Sequence, residues 1–198
     1  MDWAPGAGWA VHAAMGVGLA ASAGLRAFLP LLVVGVAGRL GYIPLADGFE
    51  WIASTPALVV FGSAVVTELL ADKLPVLDHL LDVVHGAVKP LAGALVMAAL
   101  VSDLTPLYAT LLMVVAGGTT AGAVHLTRAQ TRIASTVTTA GVGNPLLSAA
   151  EDVAALVGSI ASIAIPLVAA VLVLAALALA AIVLLRIRRR WSRGQSAP

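Results

Sequence analysis

Apolar positions in this chain gather in long blocks, and the polar positions between them fall at a few short intervals. A bilayer core of about 30 Å asks for roughly 20 apolar residues at a helical rise of about 1.5 Å. Six segments approach that length. The first, 11–37, carries Arg26 and Pro30 inside it. The second follows Thr55-Pro56 and reaches Leu70, with proline in the first helical turn, where it costs nothing. A short third covers 88–101, and the fourth runs from Pro106 to Leu126. The fifth and sixth share 146–185, divided at Pro166; as one straight helix that run would be about 60 Å long, too much for one crossing. The pattern predicts an all-α fold, a polytopic transmembrane helical bundle of about six spans with five as the alternative. It forms a single integral membrane domain over 1–190.

Between the second and third spans lies Pro75-Val-Leu-Asp-His-Leu-Leu-Asp-Val-Val-His-Gly86. Asp78, Asp82 and His85 are spaced i, i+4, i+7 and share one helical face, opposite Leu77, Leu80, Leu81 and Val84. The spacing predicts a short amphipathic or re-entrant helix at 75–86. Two carboxylates and an imidazole on one face suit a divalent cation, Mg²⁺ or Mn²⁺ foremost, as metal ligands. The same groups suit a proton relay, and an interfacial helix with a merely wetted face needs no ligand.

Composition excludes the soluble classes. Of 198 residues 61% are hydrophobic and 11% charged, and the mean hydropathy is +1.03. A soluble domain carries about twice that charge, and a disordered chain needs low hydrophobicity. Without cysteine, disulfides and thiolate chemistry are ruled out. Asp2 without an early Lys or Arg lacks the basic start of a secretory signal, so the N-terminus is expected to stay attached.

Charge is unevenly distributed. Residues 1–185 hold six Lys/Arg against ten Asp/Glu, a balance of −4, and the tail 186–198 adds five arginines and no acid. Because the tail directly follows an apolar run, it reads as a basic cytoplasmic anchor rather than a nucleic-acid arm. Six crossings with both termini in the cytoplasm put nine Lys/Arg inside and Arg39 alone outside, leaving Arg26 in the membrane. Five crossings give a poorer split. Trp3, Trp9, Tyr42, Trp51, Tyr108 and Trp191 sit at span ends, as interfacial rings do. The expected location is a cell (inner) membrane, crossed several times.

Charged groups at span centres cost about 2.5–3.5 kcal/mol on insertion scales, so each is a functional candidate. Glu68 and Asp72, four apart, share a face near the inner end of the second span, followed by Lys73. Arg26 needs a partner, for which Glu68 or Asp72 is the expectation. A second polar cluster holds Asn144 beside Pro145, then Glu151 and Asp152. Small-residue stripes, Gly16/Ala20/Gly24 and Gly117/Ala121, run toward Arg26 and His125; they suit close helix packing and a possible homo-oligomer. The polar stretch 128–144 reads as a loop, with Ser135, Thr136, Thr138 and Thr139 as an alternative lining for an aqueous path. Weak echoes, Pro75…Asp82 with Pro145…Asp152 and Ser22-Ala-Gly with Thr120-Ala-Gly, suggest an inverted repeat of about 11–102 and 105–186.

The run Ala23-Gly-Leu-Arg-Ala-Phe-Leu-Pro30, then Glu68, Leu70-Ala-Asp-Lys73, Pro75, Asp78, Asp82, His85, Gly143-Asn-Pro145 and Glu151-Asp152, resembles the family catalogued as domain of unknown function 4126. The similarity spans roughly residues 16–186 and implies a small bacterial-type integral membrane protein without assigning it an activity.

Three functions fit these patterns. The leading one is a secondary transporter or channel for a small cation or a proton-coupled solute. Glu68, Asp72, Asp78, Asp82, His85, Glu151 and Asp152 would bind the ion or proton, supported by Arg26, Lys73, His125 and Asn144. A second is a membrane-embedded Mg²⁺ enzyme acting on a lipid or prenyl phosphate, with Lys73, Lys89 and Arg128 near the phosphate. The sequence carries no Gly-rich phosphate loop or nucleophile set to favour it. The third is a ligand-free membrane scaffold or assembly partner in the lipid bilayer.

Overall fold

The computed structural model describes residues 8–71, 75–101 and 104–194, with backbone alone for 75–83, 106 and 187–194. The first apolar segment is a broken helix, α1 (Gly8–Leu25) followed by α2 (Phe28–Arg39). Pro30 explains where it breaks: inside a continuous helix its ring would clash with the carbonyl of Arg26, four residues back. With the interruption at Arg26-Ala27, Pro30 falls in the first turn of α2, where no amide is needed.

After α2 a loop with one 3₁₀ turn, Glu50–Ala53, leads into α3 (Thr55–Ala71). The amide of Ala46 donates to the Ala99 carbonyl at 2.8 Å and pins that loop to the end of α4 (Pro75–Leu100). The segment 75–86, expected as a short helix of its own, is the first half of this 26-residue helix. Pro90 lies inside it without ending it.

The fourth segment also departs from its pattern. α5 (Pro106–Leu111), a π-helical stretch Leu112–Gly118 and α6 (Thr119–Thr139) follow one another without a break. Residues 128–139, expected as loop, are therefore helical. Their hydroxyls turn inward on the helix: Thr131, Thr136, Thr138 and Thr139 each donate to the carbonyl four residues back, at 2.7–3.0 Å. Such back-bonding satisfies each hydroxyl within its own helix. The helix stops at Ala140 and Gly141, both in left-handed backbone (φ 51° and 85°).

α7 (Asn144–Ala164) and α8 (Pro166–Gly194) meet at Ile165, whose φ of −138° and ψ of 63° leave the helical region. Both helices line one cleft along their lengths, so the forty-residue apolar run folds back at Pro166 as its length requires. α1 sits at the centre, against α4, α6, α7 and α8. Its Leu19, Ala20 and Ala23 are buried with Val96 and Ala99 of α4 and Ala121 of α6.

Among the described residues, four helices are long and apolar enough to cross a bilayer: Gly8–Leu25, Leu107–Thr139, Asn144–Ala164 and Pro166–Arg186. Three shorter apolar ones, Phe28–Arg39, Thr55–Ala71 and Val84–Leu100, accompany them. Leu and Val side chains such as Val59, Val66, Leu167, Val171 and Leu174 stay exposed on α3 and α8, where only lipid covers them favourably. The protein is an integral membrane protein built as a helical bundle.

The small-residue stripes meet inside this bundle. A Cβ on Gly24 would lie 2.5 Å from the Ala121 carbonyl oxygen, and one on Gly93 would lie 2.7 Å from that of Gly117. Backbones this close leave no room for a methyl group. Gly24→Ala should therefore lower stability by about 1–3 kcal/mol through overpacking. Gly62→Ala, in open space on α3, should be neutral or stabilising by up to about 1 kcal/mol. Melting temperatures of the two variants in detergent check this; equal effects would contradict the close crossing.

Candidate functional site at the helix break

Breaking a helix in hydrocarbon strands its end carbonyls and amides, which need partners from elsewhere in the protein. Both ends of the α1–α2 break receive a charged one. Lys89 of α4 donates its ammonium to the Leu25 carbonyl at 3.0 Å. Glu68 of α3 accepts the Ala27 amide at 3.1 Å on Oε1 and the Phe28 amide at 3.5 Å on Oε2. A cation thus faces the C-terminal end of α1 and an anion the N-terminal end of α2, the signs that the two half-helix dipoles favour. Lys89 is wholly buried and Glu68 is 4% exposed, so both interactions act where water screens little. His85, also of α4, brings its Nε2 to 4.0 Å from Oε1 of Glu68.

Arg26 occupies the break itself and is 1% exposed. The expected partner was Glu68 or Asp72 on the neighbouring span. Its guanidinium pairs with Asp152 of α7 and donates to the Ser148 hydroxyl at 3.0 Å; Asp72 lies outside the described residues. Glu68 is engaged by the backbone of residues 27 and 28 rather than by the Arg26 side chain. Ser148 and Asp152 are four apart on α7, so one helical face carries both contacts. The Asp152 side chain keeps 30% of its surface open, the accessible side of an otherwise buried pair.

One residue before Asp152, Glu151 accepts from Arg128 at 2.7 Å and from Arg132 at 3.3 Å. Consecutive acids on α7 thereby tie it to the α1–α2 break and to α6. Arg128 and Arg132 had been counted with Lys89 among cytoplasmic loop charges. All three lie within helices, and Arg128 and Lys89 are buried.

Of the predicted site residues, Arg26, Glu68, His85 and Asp152 come together at the break, with Glu151 beside them. His125 is buried on α6, one turn before Arg128. Asn144 begins α7 and donates to the Thr136 hydroxyl at 3.0 Å; it lies about 12 Å along the helix from Asp152, apart from the cluster. Asp72 and Lys73 lie outside the described residues, and so do the side chains of Asp78 and Asp82; positions 78, 82, 85 and 89 share a face of α4 by register. Among the described residues no three His, Asp or Glu side chains gather as a metal site. Lys89 and Ser148 are the members that sequence reasoning did not place here. Lys89 carried a detectable signal, since it falls seven residues, two helical turns, after Asp82.

The arrangement holds opposite charges out of water, with the Glu68 carboxylate and the His85 imidazole 4.0 Å apart. If Asp152 is the partner of Arg26, Arg26→Met and Asp152→Asn should each destabilise the protein. Their double variant should lose less than the sum, with a coupling of at least about 1 kcal/mol. Arg26→Met with Glu68→Gln should show a weaker coupling. Thermal or denaturant unfolding in detergent measures both cycles, and a stronger coupling to Glu68 would contradict the pairing.

Neither the curated proteins nor the solved structures contain a match to this chain. A family model does match, over residues 13–186, and that stretch includes the broken helix, Glu68, the 75–100 helix and the acid pair of α7. The chain belongs to the family described as a domain of unknown function, DUF4126.

Proposed function

We propose that the protein is a small secondary transporter coupled to protons, with the helix break as its working centre. One observation carries this reading: a membrane helix interrupted in the protein interior, with both of its ends held by titratable side chains, Glu68 and Lys89. Transporters build midplane sites from broken helices, whose half-helix N-termini face anions and whose unwound carbonyls face cations. In this chain the anion and the cation are the protein's own. A solute cation entering the break exchanges with the ammonium of Lys89. A proton entering it lands on the Glu68–His85 pair, 4.0 Å apart.

Protonation of Glu68 is the coupling step in this account. A carboxylate accepts the Ala27 and Phe28 amides more strongly than a neutral carboxyl does. Loss of that charge loosens α2 from α3 and lets the two half-helices reorient. Arg26 and Asp152 keep α1 attached to α7 meanwhile, so motion is confined to the α2 side. Asp78 and Asp82, at register positions of α4 before His85, extend the acidic path toward the start of that helix, and Asp72 joins the proposal on its sequence position alone.

Proteoliposomes loaded with a pH-sensitive dye test the reading under imposed gradients of Na⁺, K⁺ or Mg²⁺. The wild type should move protons against at least one of these cations. Glu68→Gln, which still offers an acceptor oxygen to the amides, should stay folded and lose nearly all proton movement. Asp78→Asn/Asp82→Asn should do the same. Proton movement that survives in Glu68→Gln, or its absence from the wild type under every gradient, contradicts the proposal.

A further inference from the structure

The two helices that meet at the break do not continue in one direction. Lys89 meets Leu25 at the end of α1. Ten residues further along α4, about 15 Å away, the Ala99 carbonyl accepts the amide of Ala46. Leu45, next to Ala46, packs on Gly38 of α2. The far end of α2 therefore lies beside the far end of α4. Had α2 continued the course of α1, Gly38 would stand about 30 Å from Ala99. α3 shows the same reversal. At its start Arg39 donates to the Thr55 hydroxyl at 2.8 Å, and thirteen residues later Glu68 holds Ala27 and Phe28. α1 and α2 are the arms of a hairpin, with Arg26 and Ala27 at its tip.

The other helices define the two ends of the bundle. α4 is antiparallel to α1, since Met97 meets Gly16 while Lys89 meets Leu25. α7 is too, with Ser162 against Gly18 and Asp152 paired to Arg26. α6 opposes α4, with Gly117 on Met97 and Gly122 on Pro90, and so runs alongside α1 in the same sense. One end thus gathers Gly8, the loop 40–54, Leu100 and Pro166; Trp9 and Tyr108 line one pocket there. The opposite end gathers Pro75, Thr139, Asn144 and the basic end of α8. The hairpin tip stops short of that second end. α4 extends past Lys89 through 75–88 and α7 past Asp152 through 144–151, about 21 and 12 Å respectively.

Charge distinguishes the two faces. Arg39 is the only Lys or Arg at the Gly8 end, whereas Arg132 and the five arginines from 186 onward belong to the other. Cytoplasmic flanks collect Lys and Arg. Trp9, Tyr42, Trp51 and Tyr108 are exposed at the Gly8 end, as interfacial rings are. We infer that α1 and α2 form a re-entrant hairpin inserted from the non-cytoplasmic face, so that Gly8 and the 40–54 loop share that face and the arginine tail lies in the cytoplasm. A single crossing by 11–37, which its apolar length suggests, would put Gly8 in the cytoplasm instead. Both arms are tethered at one face, so the tip can shift against α3 and α4 without drawing a loop across the membrane. The inference stands on helix directions and charge and does not depend on proton transport.

The chain has no cysteine, so single replacements give unambiguous reporters for a membrane-impermeant maleimide. Labelling is compared between intact expressing cells and inside-out vesicles made from them. Tyr42→Cys (75% exposed) and Val142→Cys (79% exposed) mark the two faces, and both the hairpin and the single crossing place them on opposite sides. Gly8→Cys decides between the two, and its added side chain meets no atom within 4 Å. Gly8→Cys should react with Tyr42→Cys in intact cells, several-fold faster than in inside-out vesicles, and Val142→Cys should show the reverse. Asp2→Cys, six residues earlier in the chain, should follow Gly8→Cys and reads the same end if lipid shields residue 8. Gly8→Cys and Asp2→Cys reacting on the side of Val142→Cys would overturn the hairpin. Tyr42→Cys reacting only in inside-out vesicles, or all sites reacting equally in both preparations, would overturn the assignment of faces.

Discussion

A backbone carbonyl or amide left without a partner in hydrocarbon costs several kcal/mol, and the rest of this structure follows from that constraint. Pro30 forces a break near Arg26, and the break exposes the Leu25 carbonyl together with the Ala27 and Phe28 amides. Water cannot serve them in the interior. Glu68 and Lys89 do, and each is itself too costly to bury unless it makes those bonds. The break and the charges therefore stabilise each other: neither is tolerable in a membrane without its counterpart.

Around that centre the helices are positioned by two kinds of contact. Glycine and alanine bring α1, α4 and α6 so close that backbone meets backbone at Gly24, Gly93 and Gly117. With little hydrophobic force between helices in lipid, such close van der Waals packing and a few polar contacts hold the bundle. The polar contacts converge on α7, whose Glu151 and Asp152 reach arginines on two different elements. α8 takes little part. It packs against α1 and also touches α7 and α6, leaving space between itself and α7.

Much of this was legible in the sequence, for identifiable reasons. Charged residues inside apolar blocks are rare enough that Arg26, Glu68 and Asp152 announce themselves, and a forty-residue apolar run must fold at its one proline. The pairing was not legible. Helical spacing tells which residues share a face of one span, but not which span lies opposite, so it offers Glu68 or Asp72 on the neighbouring span to Arg26 and does not reveal Asp152, 126 residues away. Lys89, Arg128 and Arg132 read as loop charges, yet all three lie within helices, because a cation in a helix and one in a loop look alike when both flank an apolar block. The threonine-rich stretch after Arg128 read as loop because threonine is a poor helix former in water. In the structure its hydroxyls bond back to the carbonyls of their own helix, and the exposed stretch continues α6.

The central claim is that Glu68 secures the broken end of α2, and amide hydrogen exchange at Ala27 and Phe28 tests it most directly. In the wild type these two amides should exchange slowly despite lying outside any helical hydrogen-bond ladder. In Glu68→Ala they should exchange far faster, while Val34 in the middle of α2 stays protected. Equal protection of Ala27 and Phe28 with and without the carboxylate would show that something other than Glu68 holds the break, and the account would fail.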